Sequence, residues 1–378
     1  MYHQSEGGLV MFGIKSSITL SVVIAGLVIS SAGATEMGCH FPDTAAQGGE
    51  ISLDGACTYS GTIKILQSNT RLQCNGAILK GDKGDKYGIF IKGVGLKNVE
   101  VSNCRIRGYD KAAVMITSGL SGKDLDQDRD KSYRLAPSNI VLDGLDVRGS
   151  RGNGVHFNAY VNRATLKRST IEGSRGVGVY LGQSSRSISI LDNKFTENGG
   201  VDKPKGHREA LAVDSSAKNI IKGNIFSRNA AGAIFLYKNC GEKFDRPGAV
   251  LRWQSSNDNL IEHNVFKDEK VGVWIASRQS RDLRNWKCGD SPVSPDGKYY
   301  RDYADHNRIE KNIFCRNGEP VRVEGDNNLI AGNRFNVPGD SAVIMPFTAT
   351  AKPDGKRTVG NRVEGGGELS GADEALCR

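Results

Sequence analysis

Gly178-Val179-Tyr180-Leu181, Ala210-Leu211-Ala212-Val213, Ala233-Ile234-Phe235-Leu236 and Gly272-Val273-Trp274-Ile275 are four copies of one phrase: small, apolar, variable, apolar. A second phrase alternates with it, carrying an Asn between apolar residues, as in Ile220-Ile221-Lys222-Gly223-Asn224-Ile225-Phe226 and Leu260-Ile261-Glu262-His263-Asn264-Val265-Phe266. Together they recur from about residue 88 to 363, and Asn193, Asn224, Asn264, Asn312, Asn333 and Asn361 are read as holding one place in six successive units. Fixed-period self-similarity marks a repeat architecture. Short strands with inward aliphatics, broken by Gly, Asn, Asp and Ser, predict an all-β solenoid, a parallel β-helix of about ten turns. The asparagines are expected to stack as an internal ladder.

Around this solenoid the sequence reads as follows. Residues 1–34 form a signal peptide starting at Met11, with Lys15 as its charged end, an apolar run over 18–29, and cleavage after Ala32-Gly33-Ala34. Residues 35–75 are an N-terminal cap, 76–363 the β-helix and 364–378 a C-terminal tail. The apolar run is short for a membrane span, so the mature protein is expected in the periplasm or secreted, without a span, as a monomer. Eight cysteines behind an export signal predict disulfides in an oxidising compartment. Cys39 with Cys57, Cys74 with Cys104, Cys240 with Cys288 and Cys315 with Cys377 are the pairings proposed, although sequence does not fix connectivity. With 51 Lys and Arg against 42 acidic residues, the formal charge of +9 favours polyanions. For an exported chain these are acidic polysaccharides or oligosaccharides, not nucleic acid.

Insertions over residues 119–138, 240–254, 279–305 and 348–358 follow the same strand of their turns and are expected to wall a groove. Residues 199–208 would overhang it from the opposite edge. Strand side chains alternate between faces, so the variable third place and the fifth place point into that groove. His156, Asn158, Tyr160, Tyr180, Asp214, Phe235, Tyr237, Lys238, Trp274 and Arg278 collect there over five turns. His207, Arg208 and Glu209 stand on the overhang. Aromatic faces suit sugars, and cations suit carboxylates. Removing a proton beside a uronate carboxylate needs a neutralising cation, a base and an acid. Arg208, Lys238 and Arg278 could neutralise, His156 or His207 accept the proton, and Tyr180 or Tyr237 supply one. The catalytic set is therefore read as His156, Tyr180, Arg208, Asp214, Tyr237 and Lys238. Asn158, Tyr160, His207, Glu209, Phe235, Trp274 and Arg278 bind substrate. A hydrolase would need two carboxyls, and only Asp214 with Glu209 qualify.

Gly-Val-Tyr-Leu (178–181), Asp-Asn-Lys-Phe (192–195), Gly-Asn-Ile-Phe (223–226) and His-Asn-Val-Phe (263–266) resemble the right-handed parallel β-helix, or pectate-lyase-like, superfamily across nearly all of the mature chain. The resemblance implies a right-handed solenoid. Its known members include polysaccharide lyases, mannuronan C5-epimerases, polygalacturonase-type hydrolases and periplasmic accessory proteins for copper sites. The Asp-Pro-His signature of alginate epimerases and the clustered aspartates of polygalacturonases are absent from this sequence. The Lys and Arg pair of alginate and chondroitin lyases would correspond to Lys238 with Arg208 or Arg278. A lyase working by β-elimination on a uronate polymer is the expected function. An epimerase, a hydrolase and a non-catalytic accessory protein are the alternatives. No cofactor or resident metal is assigned. Calcium, which many members use to neutralise the carboxylate, would draw on Asp214, Glu209, Asn158 and Asn239, few oxygens for an ion that takes six to eight.

Overall fold

A computed structural model of the chain describes residues 39–41, 48–336, 342–344 and 358–378. The signal peptide, the start of the cap and most of the 348–358 insertion lie outside the described residues. Three parallel sheets run along the solenoid, with 11, 11 and 10 strands among those residues, and each strand pairs with the one three places on. In one turn these are Ile220–Lys222, Ile225–Ser227 and Gly232–Tyr237. The repeats begin inside the segment assigned to the cap, since Gly49–Ser52 already pairs with Thr70–Gln73. At the other end the tail closes with a helix, Gly371–Cys377.

The core follows from the small-apolar-variable-apolar phrase. Val179, Leu211, Ile234 and Val273 are fully buried at its second place. Phe195, Phe226, Phe266, Phe314 and Phe335 stack face to face, with centroids 4.7–5.2 Å apart, in an offset geometry that adds to their burial. The third places fall in register: His156 beside Tyr180, Tyr180 beside Ala212, Ala212 beside Phe235, and Phe235 beside Trp274.

The asparagines form three ladders where the sequence suggested one. Asn193 donates its backbone N–H and its amide to Asn224 Oδ1, both at 2.9 Å, and Asn224 does the same to Asn264. Asn312 and Asn333 continue this ladder. Asn361 is not in it. The strand that follows Asn361, Arg362–Glu364, pairs with Leu329–Ala331 in the first sheet. Asn361 therefore receives Asn328, at 2.8 and 3.1 Å, in a second ladder running from Asn219 through Asn259 and Asn307. A third runs from Asn198 to Asn229 and then to Glu269, which stands where an Asn is expected.

The four disulfides join Cys39–Cys57, Cys74–Cys104, Cys240–Cys288 and Cys315–Cys377, the pairings proposed from sequence. No helix among the described residues is long and apolar enough to cross a membrane.

Candidate active site

Three of the insertions, 119–138, 240–254 and 279–305, are tied to one another along one edge of the third sheet. Residues 119–138 fold into two short helices, Gly122–Asp126 and Arg129–Leu135. Tyr133 of the second helix donates to Gln254 Oε1 at 2.8 Å, tying this insertion to the next. The Cys240–Cys288 bridge ties residues 240–254 to 279–305. On the opposite edge, Arg208 N–H donates to the Gly199 carbonyl at 2.9 Å, closing the overhang into a loop. Gly199 has φ +88°, and a Cβ there would stand 1.8 Å from the Arg208 carbonyl oxygen. Only glycine fits, and its backbone fixes where Arg208 enters the site.

Between the overhang and the 279–305 insertion lies a cavity of about 550 Å³ lined by His207, Arg208, Glu209, Phe235, Trp274, Ser277, Arg278, Ser280, Arg281 and Trp286, with Gly206. Phe235 and Trp274 meet edge to face at 5.2 Å on its floor. Arg278 lies 3.8 Å over the Tyr237 ring, and Arg281 lies 4.8 Å over Trp286. Neither arginine has an ion-pair partner among the described residues. Burial, and then the neighbouring charges of Arg278 and Arg208, hold the Arg281 pKa below its usual value. Glu209 is 2 % exposed and is held by the forked guanidinium of Arg208 at 3.1 and 3.2 Å. Burial alone would raise its pKa, but the charge and hydrogen bonds of Arg208, helped by Arg278, outweigh this and hold it at about 2. Tyr237 donates to the same carboxylate at 2.9 Å. His207 Nε2 faces the Lys203 carbonyl at 2.8 Å. A carbonyl only accepts, so Nε2 carries the proton and Nδ1 is the basic nitrogen of the neutral ring.

Behind the cavity is a closed polar network. Asp214 is fully buried and accepts from Tyr180 Oη, Ser215 Oγ at 3.1 Å and Asn239 Nδ2 at 2.8 Å. Arg252 approaches it to 3.5 Å and also pairs with Glu242 at 3.3 Å. Burial and then the Asp214 charge keep the Tyr180 pKa well above 10. Burial lowers the His156 pKa to about 4, the Asp214 charge opposing it, so its ring is neutral at pH 7. The rings of His156 and Tyr180 are 4.8 Å apart.

A family model described as a right-handed β-helix region matches residues 87–280, just over half of the chain. The chain belongs to the right-handed β-helix family. No curated protein matches it by sequence. Among solved structures, the catalytic domain of a GH87 α-1,3-glucanase in complex with nigerose superposes at a TM-score of 0.50 with 10% identity, over 88% of this chain and 63% of that one. This chain thus spans less than two thirds of that domain. An alginate lyase from Paenibacillus sp. str. FPU-7 gives a TM-score of 0.48 at 13% identity, over 86% of this chain and 92% of that one. A mannuronan C-5 epimerase A-module from Azotobacter vinelandii gives 0.41 at 11% identity, over 85% and 89%. At these identities the likeness is one of fold.

Within this β-helix, six of the sequence-selected residues line the cavity: His207, Arg208, Glu209, Phe235, Trp274 and Arg278. The others do not. Tyr160 is 1 % exposed and packs beneath the insertions, receiving Trp253 Nε1 at 2.9 Å. Asp214 and Tyr237 point out from the solenoid as expected but are roofed by the insertions and fully buried. Lys238 spends its ammonium on Asp290 at 2.9 Å, pinning the 279–305 insertion to the end of a core strand. Asn158 donates to Thr117 Oγ1 at 3.2 Å, and His156, Asn158 and Tyr180 lie further along the face. Sequence reading missed Arg252 and Arg281, because insertions carry no repeat to fix their direction; Trp286 reads from sequence only as part of an aromatic segment that could form a substrate lid or a structural loop. The carboxylate oxygens considered for calcium are already bonded. Those of Asp214 and Glu209 are taken by Asn239, Tyr180, Tyr237 and Arg208. Among the described residues no group of three or more His, Cys, Asp or Glu is gathered to hold a metal.

Proposed function

We propose that this protein is an exported polysaccharide-active β-helix enzyme that takes an acidic, uronate-containing chain and cleaves it by β-elimination. The observation that carries this reading is the charge of the cavity: three arginines, Arg208, Arg278 and Arg281, against one carboxylate, Glu209, on an aromatic floor. Two positive charges are therefore left for a ligand. Trp274 Nε1 and Arg278 Nε are buried without hydrogen-bond partners among the described residues, a state that an accepting ligand would relieve. A guanidinium pair suits a carboxylate, and Trp274, with Phe235 buried at its edge and Arg322 4.4 Å over its ring, closes the floor beneath it.

In this mechanism Arg278 and Arg281 neutralise the uronate carboxylate and so acidify the neighbouring carbon-bound proton. Nδ1 of His207 removes that proton. The resulting electron pair forms a double bond as the glycosidic oxygen leaves. Tyr237 is too enclosed to reach the leaving oxygen, which takes its proton from solvent. Hydrolysis fits less well, because it requires one carboxyl to be protonated as an acid. Glu209 is held ionised by Arg208, and Asp214 is sealed behind the cavity. Four disulfides support an oxidising destination. Incubation with a panel of uronate polymers tests the reaction class. Ultraviolet absorbance from unsaturated sugar ends is the expected result. New reducing ends without it would establish hydrolysis, and altered uronate composition with neither would establish epimerisation.

A further inference from the structure

A second concave site lies away from the cavity, at the N-terminal edge of the first sheet. Its floor crosses successive turns: Lys97 pairs with Ser138, Ser138 with Asn162, and Asn162 with Arg186. At about 4.8 Å per step this row spans roughly 14 Å. The Arg129–Leu135 helix walls it with Asp130, Tyr133 and Arg134, and the hollow measures about 440 Å³. Arg163 completes the lining. Four cations therefore face one carboxylate. None of Lys97, Arg134, Arg163 and Arg186 has an ion-pair partner among the described residues, although arginines elsewhere on the same sheet, Arg71 and Arg308, are paired. The guanidinium of Arg186 lies 3.4 Å over the Tyr133 ring, held in place before any ligand arrives.

We propose that this hollow is a second binding site for the same class of acidic oligosaccharide, holding the polymer outside the cavity. This rests on the reading of the cavity as a uronate site. A surplus of three positive charges along about three turns matches a chain bearing one carboxylate per sugar. Arg186, pre-positioned on Tyr133, can fork onto such a group. Ser138 on the floor offers a neutral partner for a hydroxyl, while the Asn162 amide is spent on the Tyr133 and Tyr160 carbonyls.

Affinity electrophoresis through gels containing polygalacturonate tests this on the full-length secreted protein. The proteins compared are wild type, Arg278→Ala, Arg163→Ala with Arg186→Ala, and all three changes together. The double change should weaken retardation roughly tenfold, the loss of one or two charge-assisted hydrogen bonds. It should leave turnover of short oligouronates unchanged. Arg163→Lys with Arg186→Lys should restore most of the retardation, which separates loss of charge from loss of fold. Unchanged retardation in the double variant overturns the site. Retardation by DNA but not by polygalacturonate overturns the ligand class. If the wild type produces no product from any uronate while retardation still depends on Arg163 and Arg186, the catalytic reading fails and this site stands.

Discussion

His207 and Asp214 show how differently two polar residues of neighbouring position can serve one site. His207 lines the cavity with a basic nitrogen unused, so His207→Ala should cut turnover by about 10²–10⁴-fold, the usual cost of losing a general base. Asp214 is fully buried between Tyr180, Asn239 and Arg252. Asp214→Ala takes from Arg252, 8 % exposed, one of its two carboxylates, leaving Glu242 at 3.3 Å, and removes the acceptor of the buried Tyr180 hydroxyl. Leaving that hydroxyl unpaired and the ion pair halved costs about 1–3 kcal/mol. Urea unfolding of the variant should show that loss; a change below about 1 kcal/mol would mean that Arg252 is not held by Asp214. Alternation along the strand correctly placed Asp214 and Tyr237 outside the solenoid. It does not show that insertions far along the chain fold back over them, which is why alternation alone reads buried, fully bonded groups as exposed catalytic ones.

The ladders set the stability of the individual turns. Asn224→Ala would leave the Asn193 backbone N–H and amide and the Ile190 carbonyl without their partner. Each stranded group costs about 1–3 kcal/mol, so chemical denaturation should show a loss of about 3 kcal/mol or more. Glu269 gives its ladder a pH dependence. Burial pushes its pKa up to about 8, against the hydrogen bonds from Asn229. Between the ordinary glutamate value of 4.5 and about 8 the folded chain holds a proton that the unfolded chain has released. This contribution to stability is fully present below the lower value and is lost as pH rises through the upper one. Denaturation midpoints at about pH 5 and about pH 9 should therefore converge in Glu269→Gln. An equal pH dependence in the variant would place the titration elsewhere. The ladders were partly legible. Asn219, Asn224 and Asn229, like Asn307, Asn312 and Asn317, are spaced at a constant interval that marks the three corners of a turn. Taking one corner alone misplaced Asn361, whose neighbours resemble both phrases.

At the scale of the whole molecule, the solenoid gives length and rigidity, and the insertions convert one stretch of its face into a cationic cavity. The Cys240–Cys288 bridge links two of those insertions. Cys240→Ser with Cys288→Ser should therefore raise the substrate requirement while circular dichroism shows the β-helix intact; global unfolding would assign the bridge to the fold instead. The repeat, and with it the fold, could be read from residues that recur. The proposed chemistry draws on Arg278, Arg281 and Trp286, which recur nowhere. Arg278 joins these levels, because it leaves the end of a core strand, stacks on Tyr237 and faces the cavity. The rate of unsaturated-end formation from a uronate polymer, compared between wild type and Arg278→Ala of equal circular dichroism, is the most direct test. Loss of the neutralising guanidinium should lower the rate by about 10²–10³-fold. An unaltered rate in Arg278→Ala, or no unsaturated product from the wild type on any uronate polymer, would contradict the assignment of this cavity to acidic-saccharide elimination.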